Sequence, residues 1–476
     1  DTIQSRGLGD VYKRQALENQ METKSLSRQR DFSYYINPYT NLKANEASGP
    51  LVIQRGDGVF VYDEDGKEYL EGMSGLWCVS LGFSESRLIR AAEQQMKSLP
   101  YYHSFTGKVP AVTLELSERL VEMAPKPMSK VLYANSGSES NDTAVKVAWY
   151  YQNALGRPDK KKIISRQRGY HGVTITSGSL TGMDYAHKGF DLPRPHVIHA
   201  EAPHYFREAL PGESEEAFTG RLADSLEHLI LKENPDTIAA MIAEPVQGAG
   251  GVIIPPEKYF QAIQPILRKY QILLIADEVI CGFGRTGKMF GSTHFDIEPD
   301  MMVVAKQLSS GYQPISGLLI SDAVYQVMRE QSAGYGMFGH GYTYSGHPVP
   351  AAVALETLKI YEERNLVQRV RDLAPRFSKA FRELEEHPMI GTSRSLGLIG
   401  ALELVRDKKK KEFFDPSQKI GAHLVAQAQQ HGLILRTLPG DIIACCPPLI
   451  ISESEMDEMF SRFKKAIDET ANHFLN

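Results

Sequence analysis

The chain has 476 residues, which is long for one hydrophobic core and, at about 150 residues per domain, suggests two or three domains. Its 53 basic and 58 acidic side chains leave a net charge of -5, and the basic residues are scattered, which argues against nucleic-acid binding. The four cysteines include no C-x-x-C pair, so we expect neither a disulfide framework nor a metal site, and a reducing, cytoplasmic setting. No apolar run approaches the roughly 20 residues of a membrane span, so no membrane partner is expected.

Two segments precede the main part of the chain. Residues 1–31 are polar and lack helical or strand periodicity, and Met21 offers another start, so we expect a disordered or non-native extension. Residues 32–85 contain VFVYDEDGKEYLEG, which is typical of a β-hairpin around Asp-Gly. We predict that this second segment joins the small domain formed by the end of the chain.

Residues 86–345 are predicted to form the large domain. After a helix in SRLIRAAEQQMKSL, strand-like runs alternate with longer amphipathic segments; the runs are VLYA, KKIISR, TIAAMIAEPV, ILLIAD and MMVVAK. This alternation is typical of an α/β fold with a mostly parallel sheet covered by helices on both faces. The strongest helical pattern covers residues 257–270, behind a Pro-Pro-Glu start.

Residues 346–476 are predicted to form a smaller α+β domain. Its expected elements are two helices, a strand, a helix leading into a strand, and a closing helix; in order these are AAVALETLKIYEERN, RDLAPRFSKAFRELEEH, LGLIGALELV, HLVAQAQQHGLILR and ESEMDEMFSRFKKAIDETANHF.

Two buried strands are predicted to end in a charge. ILLIAD ends at Asp277 and MMVVAK at Lys306, so both side chains should lie at the carboxyl edge of the sheet, where open α/β sheets bind ligands. A buried ammonium is costly unless it is paired or neutral. In addition, ANSGSESND leads from a strand into a helix and offers free N–H groups to an anion.

An anion seat, a carboxylate and a buried lysine are what pyridoxal phosphate (PLP) requires. The carboxylate keeps the pyridine nitrogen protonated and the lysine forms a Schiff base with the aldehyde. Each feature alone has a plain alternative: an ordinary helix N-cap, a turn aspartate, or an exposed lysine.

Six motifs resemble the class III aminotransferases of PLP fold type I, in order and spacing, across residues 32–470. They are NSGSESNDTAVK, GYHGVT, AEPVQGAGGV, IADEVICGFGRTG, VVAKQLSSGY and GYTYSGHP. The resemblance implies a large domain with a mostly parallel, seven-stranded sheet, a smaller α+β domain, PLP as cofactor, and a homodimer or a tetramer with shared active sites.

The resemblance also implies roles for single residues. Lys306 would be the Schiff-base lysine and proton shuttle, and Asp277 the partner of the pyridinium nitrogen. The other implied cofactor contacts are Gly137 and Ser138 at the phosphate, Tyr170 and Val279 on the two faces of the ring, Glu244 near the cofactor, and Thr343, which would reach the phosphate of the neighbouring subunit. Glu244 could equally be a strand-end carboxylate paired with an arginine. For His171 a packed side chain is favoured over a catalytic one.

One residue departs from the family pattern. The family usually has Gly or Ala after the lysine, whereas this chain has Gln307. A bulkier residue there is expected to shift the cofactor or reshape a wall of the pocket.

Other segments indicate the subgroup. Ile280 stands where enzymes that use 2-oxoglutarate usually have Gln, and several segments resemble the ω-transaminases, which use amines, ω-amino acids or 4-aminobutyrate with pyruvate; among them are GLWC, LPYYHSF, NALGRP and ILRTLPGDIIACCPPLII. There Arg436 would bind the keto-acid carboxylate, and Trp77, Phe105 and Tyr170 would line the substrate pocket. The plain alternatives are a surface arginine and a core tryptophan.

The implied activity is transfer of an amino group from an amine or ω-amino acid to a keto acid, pyruvate above all, by a ping-pong mechanism. Four rivals stay open: use of 2-oxoglutarate, a PLP aminomutase or decarboxylase, a dinucleotide oxidoreductase, and a silent binding protein. The oxidoreductase rests only on GAGG at 248–251, which is not G-x-G-x-x-G, and the silent protein would be expected to lack Lys306 or Asp277.

Overall fold

A computed structural model of the chain describes residues 34–193 and 196–475. The prediction for residues 1–31 therefore lies outside the described residues. Within them the strands are β1 Ile53–Asp57, β2 Phe60–Asp63, β3 Glu68–Glu71, β4 Met128–Ala134, β5 Lys162–Arg166, β6 Val197–Ala200, β7 Ile238–Ala243, β8 Leu273–Asp277, β9 Met301–Val304, β10 Ser316–Ser321, β11 Ile390–Leu396, β12 Ile399–Leu404, β13 Leu433–Ile434, β14 Arg436–Leu438 and β15 Ile442–Cys445.

The α-helices connect and cover these strands. In chain order they are α1 Leu42–Ser48, α2 Ser74–Trp77, α3 Ser86–Ser98, α4 Ala111–Met123, α5 Gly137–Ala154, α6 Ile175–Leu180, α7 Tyr205–Glu208, α8 Glu215–Lys232, α9 Tyr259–Lys269, α10 Gly291–His294, α11 Asp322–Tyr335, α12 Pro348–Glu363, α13 Leu366–Glu385, α14 Ile420–Gln430 and α15 Glu453–Phe474. None of the helices in the described part of the chain has the length and hydropathy to cross a membrane.

The largest sheet has seven strands in the order β4-β10-β9-β8-β7-β5-β6. Strands β9, β8, β7, β5 and β6 pair in parallel, whereas β10 runs antiparallel to both of its neighbours. The predicted mostly parallel, seven-stranded sheet is therefore confirmed. One antiparallel strand fits because β10 follows β9 closely in the chain and needs no crossover helix.

Both faces of this sheet are buried under helices. Along β7, Ala240 and Ile242 pack in one cluster with α5 and α11, whereas Met241 packs in another with α8 and α9. Side chains alternate between the faces of a strand, so continuous apolar runs such as IAAMIA are what a doubly covered sheet requires.

Two four-stranded sheets complete the fold, in the orders β1-β2-β3-β13 and β11-β12-β15-β14. The predicted hairpin forms from β2 and β3, and β3 pairs in parallel with β13, so Leu70 lies opposite Leu433. The N-terminal hairpin thus shares a sheet with the C-terminal part of the chain. The domain boundaries at 85 and 345 stay predictions.

Two predicted elements begin or end differently in the structure. LGLIGALELV is not one strand, because the chain turns at Gly397, whose φ is 58° and whose Cβ, if present, would meet the Arg285 carbonyl at 2.3 Å. The helix predicted from residue 257 begins at Tyr259, since Lys258 adopts a left-handed conformation with φ 66°.

Candidate active site

A cavity of about 1520 Å³ opens at the carboxyl ends of β7, β8 and β9. Glu244, Asp277 and Lys306 follow or end these strands, and all three line the cavity. The pairing of Asp277 with Val303 in a parallel ladder brings the two strand ends together. This edge is where the sequence predicted the site.

Asp277 is buried at the floor of the cavity, with an exposed fraction of 3%. Its Oδ2 accepts hydrogen bonds from Asn141 Nδ2 at 2.9 Å and from His171 Nδ1 at 2.8 Å, and its Oδ1 accepts one from the Val279 N–H at 3.1 Å. Three donors hold the carboxylate in one orientation and offset the cost of burying its charge.

Reasoning from the sequence alone missed Asn141, and it predicted that His171 is packed without foreseeing its bond to Asp277. Asn141 lies on α5, one turn after Gly137, so the (i, i+4) spacing inside GSESN could have placed it on the face of the helix that meets the site. His171 is packed, with an exposed fraction of 2%, and it also bonds Asp277. No local pattern pointed to that bond, because it joins positions 106 residues apart.

The N-terminus of α5 forms the wall beside Asp277. Ser136 caps the helix and shares a reciprocal capping box with Glu139, while Gly137 and Ser138 line the cavity. A Cβ on Gly137 would meet the Val279 side chain at 3.0 Å, so glycine lets the first turn of the helix approach the strand end. The N–H groups of this first turn and the helix dipole can hold an anion here.

Lys306 follows β9 at the start of a short 3-10 turn and has φ 46°. Its side chain is half-buried and lines the cavity. Among the described residues no carboxylate pairs with its Nζ and no acceptor hydrogen-bonds it. A lysine in such surroundings is available for reaction with a ligand.

Glu244 is buried beneath the Tyr170 loop. Its carboxylate accepts hydrogen bonds from the Tyr170 N–H and the Gly248 N–H, each at 2.9 Å. Burial raises the pKa of Glu244, although His171 and the two N–H donors act in the opposite direction. The alternative of an arginine pair does not hold, because Arg166 donates to the backbone carbonyl of Glu244 and not to its carboxylate.

The other end of the cavity is lined by aromatic and apolar side chains around one cation. Trp77, Tyr170 and Ile280 line it together with Arg436, which begins β14. Trp77 and Ile280 are also buried in one apolar cluster, so Trp77 is a core side chain as well as a lining one. The Tyr170 hydroxyl lies 3.2 Å from the Tyr39 hydroxyl. Within the described part of the chain, the Arg436 guanidinium has no carboxylate partner and no hydrogen-bond acceptor.

Two residues that the resemblance assigned to the site do not line this cavity. Phe105 has an exposed fraction of 41% and packs beside Gly341. Thr343 is exposed, and its carbonyl accepts a hydrogen bond from the Tyr101 hydroxyl at 2.8 Å. The structure of one chain therefore does not bring them together with Lys306.

Gln307 does not line the cavity, so the expectation that it forms part of the pocket wall was wrong, whereas a shift of the cofactor stays a prediction. Its side chain is fully buried, and its Nε2 donates to the carbonyls of Ile280 at 3.0 Å and Gly282 at 2.8 Å. The side chain points behind the site and ties the loop after β8 to the turn that carries Lys306.

The residues fit pyridoxal phosphate. At the N-terminus of α5, the absence of a side chain at Gly137 leaves space that a Cβ would partly fill. Beside it lie the buried Asp277 carboxylate, with its hydrogen bonds, and Lys306, which has no partner among the described residues. Gly137 and Ser138 would hold the phosphate, Asp277 the ring nitrogen, and Tyr170 and Val279 the ring faces. No cluster of three or more His, Cys, Asp or Glu in the described ranges could hold a metal ion.

Comparisons with known proteins show which family the chain belongs to. The family described as "Aminotransferase class-III" matches residues 42–467. A gamma aminobutyrate transaminase of Solanum lycopersicum is 50% identical over 88% of this chain and 82% of its own length, and a vanillin aminotransferase of Capsicum chinense is 49% identical over 88% and 92%. The omega transaminase of Pseudomonas jessenii in complex with PMP is 52% identical with a TM-score of 0.91, covering 93% of this chain and 98% of its own.

Both the family match and the structural match span most of the chain. The chain therefore belongs to the class III aminotransferases, which use pyridoxal phosphate to transfer an amino group to a keto acid.

Proposed function

We propose that the chain transfers an amino group from an amine or ω-amino acid to pyruvate. The observation that carries this proposal is the Arg436 guanidinium, which lines the same cavity as Lys306 and is unpaired within the described residues. A guanidinium binds a carboxylate with two parallel hydrogen bonds, so Arg436 suits the carboxylate of a keto acid.

The charges of the cavity favour a monocarboxylate. Among the described lining residues, Lys306 and Arg436 are the only lysine or arginine side chains. With Lys306 engaged in the reaction, a dicarboxylate such as 2-oxoglutarate would have a second charge without a cationic partner, and leaving it desolvated is costly. Pyruvate needs only one cation.

The apolar side chains of the cavity favour donors with an apolar body. Leu76, Trp77 and Ile280 line the same cavity as Arg436, and they can pack against a methylene chain or an aromatic ring. Relatives named for gamma aminobutyrate and for vanillin, together with omega transaminases of known structure, support donors of this class.

The chain's own residues divide the chemistry between them. Pyridoxal phosphate, when bound, supplies an electron sink for the pair left on the substrate carbon. Lys306 Nζ accepts the proton from that carbon and releases it again as a general base and acid. Asp277 keeps negative charge at the floor and so favours a protonated ring nitrogen, while Arg436 orients the carboxylate.

A panel of amine donors, each tested with pyruvate and with 2-oxoglutarate, tests the proposal. We expect 4-aminobutyrate, β-alanine or an arylalkylamine to be consumed with pyruvate at a much higher kcat/KM than with 2-oxoglutarate. A clear preference for 2-oxoglutarate, or amine turnover without any keto acid, would contradict it.

We also propose that the active form is a homodimer whose two chains share each site. Phe105 and Thr343 lie outside the cavity of their own chain, and Tyr101 and Tyr344 beside them expose aromatic surface. An exposed aromatic patch of this kind is typical of a surface that binds another protein.

Mixing two inactive variants tests the shared site. Lys306→Ala removes the lysine of one site, and Thr343→Glu places a charge against the phosphate of the other chain. If each active site is built from two chains, refolding the two variants together should restore about a quarter of the wild-type activity. Half of the dimers are then mixed, and each mixed dimer has one intact site out of two. Light scattering measures whether the refolded protein is a dimer or a monomer. In either case, no recovery of activity would contradict the proposal.

A cytoplasmic location remains a proposal as well. It is supported by Cys78, Cys281, Cys445 and Cys446, which form no disulfide with one another. Fractionation of the source cells tests it.

A further inference from the structure

A buried carboxylate behind the cavity has no part in the chemistry described above. Glu403 lies in β12, and its side chain is fully buried. Its Oε1 accepts a hydrogen bond from Arg207 Nε, and its Oε2 accepts one from Arg394 Nη1 at 3.0 Å. His204 Nε2 lies 3.3 Å from the same Oε2. Burial acts to raise the pKa of Glu403, but these three neighbours outweigh it and lower the pKa to about 2, so the group is ionised.

Two arginines from loops of the large sheet hold the turn between β14 and β15. Arg168 follows β5, and Arg207 lies in α7. Their Nη2 atoms donate to the carbonyls of Pro439 and Gly440, respectively, each at 2.8 Å. This turn comes directly after the strand that begins with Arg436, so the two arginines fix the far end of that strand.

A third arginine makes the reverse connection, from a small sheet to the large one. Arg394 lies in β11, and its Nε donates to the carbonyls of Gly251 at 2.9 Å and Val252 at 3.0 Å, in the loop after β7. Glu403 bonds both Arg394 and Arg207. The carboxylate therefore joins the two connections into one network.

The network contains more positive than negative charge. Within the described ranges, Glu403 is the only carboxylate that forms an ion pair with Arg207 or Arg394, and Arg168 pairs with none. A Cβ on Gly251 would lie 3.4 Å from Arg394 Nη2 and 3.6 Å from Arg168 Nη2, so these two guanidiniums meet at the same glycine. Without the Glu403 charge, three guanidiniums would be left close together, and like charges at this depth repel strongly.

Glu403 also lies on the same face of its sheet as Arg436. Ile442 in β15 lies opposite Glu403 on one side and opposite Leu438 of β14 on the other. Cross-strand partners share a face, and so do residues two apart in one strand, so Leu438 and Arg436 share the face of Glu403. Leu438 and Arg436 line the cavity. A rearrangement around Glu403 would therefore reach the cavity wall within two strands.

We propose that Glu403 is a positioning residue, which holds Arg207 and Arg394 together and so fixes β14 where Arg436 can bind the keto-acid carboxylate. This role rests on the proposed function of Arg436. If the Glu403 charge is removed, the arginines separate and the turn after β14 loses its fixed donors. Arg436 then has to be ordered when the substrate binds, which weakens the binding of carboxylates and not the later chemistry.

Glu403→Gln tests this role, because it keeps the shape of the side chain and removes its charge. We expect the KM for pyruvate to rise about tenfold while kcat changes less than about twofold. The single-turnover half-reaction with an amine that has no carboxylate should change little. Glu385→Gln is the matched control, since the Glu385 carboxylate bonds Ser393, the neighbour of Arg394, and none of the three arginines. It should leave both reactions unchanged; equal losses of pyruvate and amine reactivity in Glu403→Gln would overturn the proposal.

A double variant shows whether Glu403 acts through Arg436. Arg436→Ala alone is expected to raise the KM for pyruvate about 50-fold, and Glu403→Gln added to it should raise the KM no further, because the positioned group is already absent. Independent effects would instead multiply to about 500-fold, and that result would overturn the proposal.

Arg207→Gln gives a second test that does not remove the buried carboxylate. It takes away the donor to the Gly440 carbonyl and leaves Glu403 paired with Arg394. Since one link of the network is lost and the charge stays balanced, we expect the KM for pyruvate to rise about threefold with an unchanged amine half-reaction. An unchanged KM for pyruvate would overturn the proposal even if Glu403→Gln fails to fold.

The proposed function and the role of Glu403 fail in different ways. If the donor and acceptor panel favours 2-oxoglutarate, the preference for pyruvate is wrong, and the same variants measured with 2-oxoglutarate still test Glu403. If Arg436→Ala raises the KM of the keto acid and Glu403→Gln does not, only the role of Glu403 is wrong. If Arg436→Ala has no effect on that KM, both are wrong.

Discussion

The two ends of the cavity differ in how their charged groups are satisfied. At the floor, the Asp277 carboxylate accepts three hydrogen bonds, from Asn141, His171 and Val279. At the opposite end, the Arg436 guanidinium is left without a partner in the described residues, although it lines the same cavity.

This difference fits the ligands that we propose for the two groups. A cofactor that stays bound benefits from groups held in place before it arrives, since no reorganisation is then needed during the reaction. A substrate that comes and goes needs a charge that it alone satisfies. We therefore propose that the floor serves the cofactor and that Arg436 serves the carboxylate of the substrate.

The largest expected effect is at the lysine between the two ends. Lys306→Ala should lower turnover by about 10⁴-fold or more, because it removes both the nucleophile and the general base. Borohydride treatment followed by intact mass measurement should find no attached cofactor. Lys269→Ala, on the surface, is the control and should leave both unchanged; turnover retained in Lys306→Ala would refute the assignment.

At the floor of the cavity, loss of the Asp277 carboxylate should lower activity more than loss of one of its hydrogen-bond donors. Asp277→Ala should lower kcat by about 10³-fold, and Asn141→Ala by about tenfold, because the first removes the charge and the second only one of its supports. Steady-state kinetics with saturating cofactor measure both. Equal losses in the two variants would mean that Asn141 touches the ligand itself.

Loss of the Arg436 guanidinium should weaken binding only of ligands that carry a carboxylate. Arg436→Ala should raise the KM for pyruvate about 50-fold, since a charge-assisted, bidentate pair is lost. The half-reaction with an apolar amine, followed by cofactor absorbance in single turnover, should change little. Equal losses with both substrates would show that Arg436 supports the fold of the pocket and not carboxylate binding.

The smallest effect on activity is expected for Gln307, which does not line the cavity. Gln307→Gly should leave kcat/KM little changed but lower the free energy of unfolding by about 1–3 kcal/mol, because the carbonyls of Ile280 and Gly282 lose their buried donor. Denaturant unfolding of the holoenzyme measures this. A large loss of activity at unchanged stability would show that Gln307 shapes the pocket.

Local patterns in the sequence predicted most of the secondary structure around the site. Continuous apolar runs identified β7, β8 and β9 as doubly covered strands, and the charges that end them identified the functional edge. The segment ANSGSESND was expected to lead from a strand into a helix, and α5 begins within it, at Gly137. The strand predicted at 396–405 was wrong at its start, because Gly397 has φ 58° in the tight turn that joins β11 to β12, and β12 begins only at Ile399.

The sequence by itself determined the α/β order, the strand-end positions of Asp277 and Lys306, and the resemblance that names the cofactor. These depend on periodicity and on short motifs, which are local properties. Only the tertiary structure decided that Asn141 and His171 bond Asp277, that Gln307 does not line the cavity, and that Glu244 bonds backbone N–H groups. Most of these contacts join residues far apart in the chain, and the direction of a side chain at a turn depends on neighbours that no local pattern specifies.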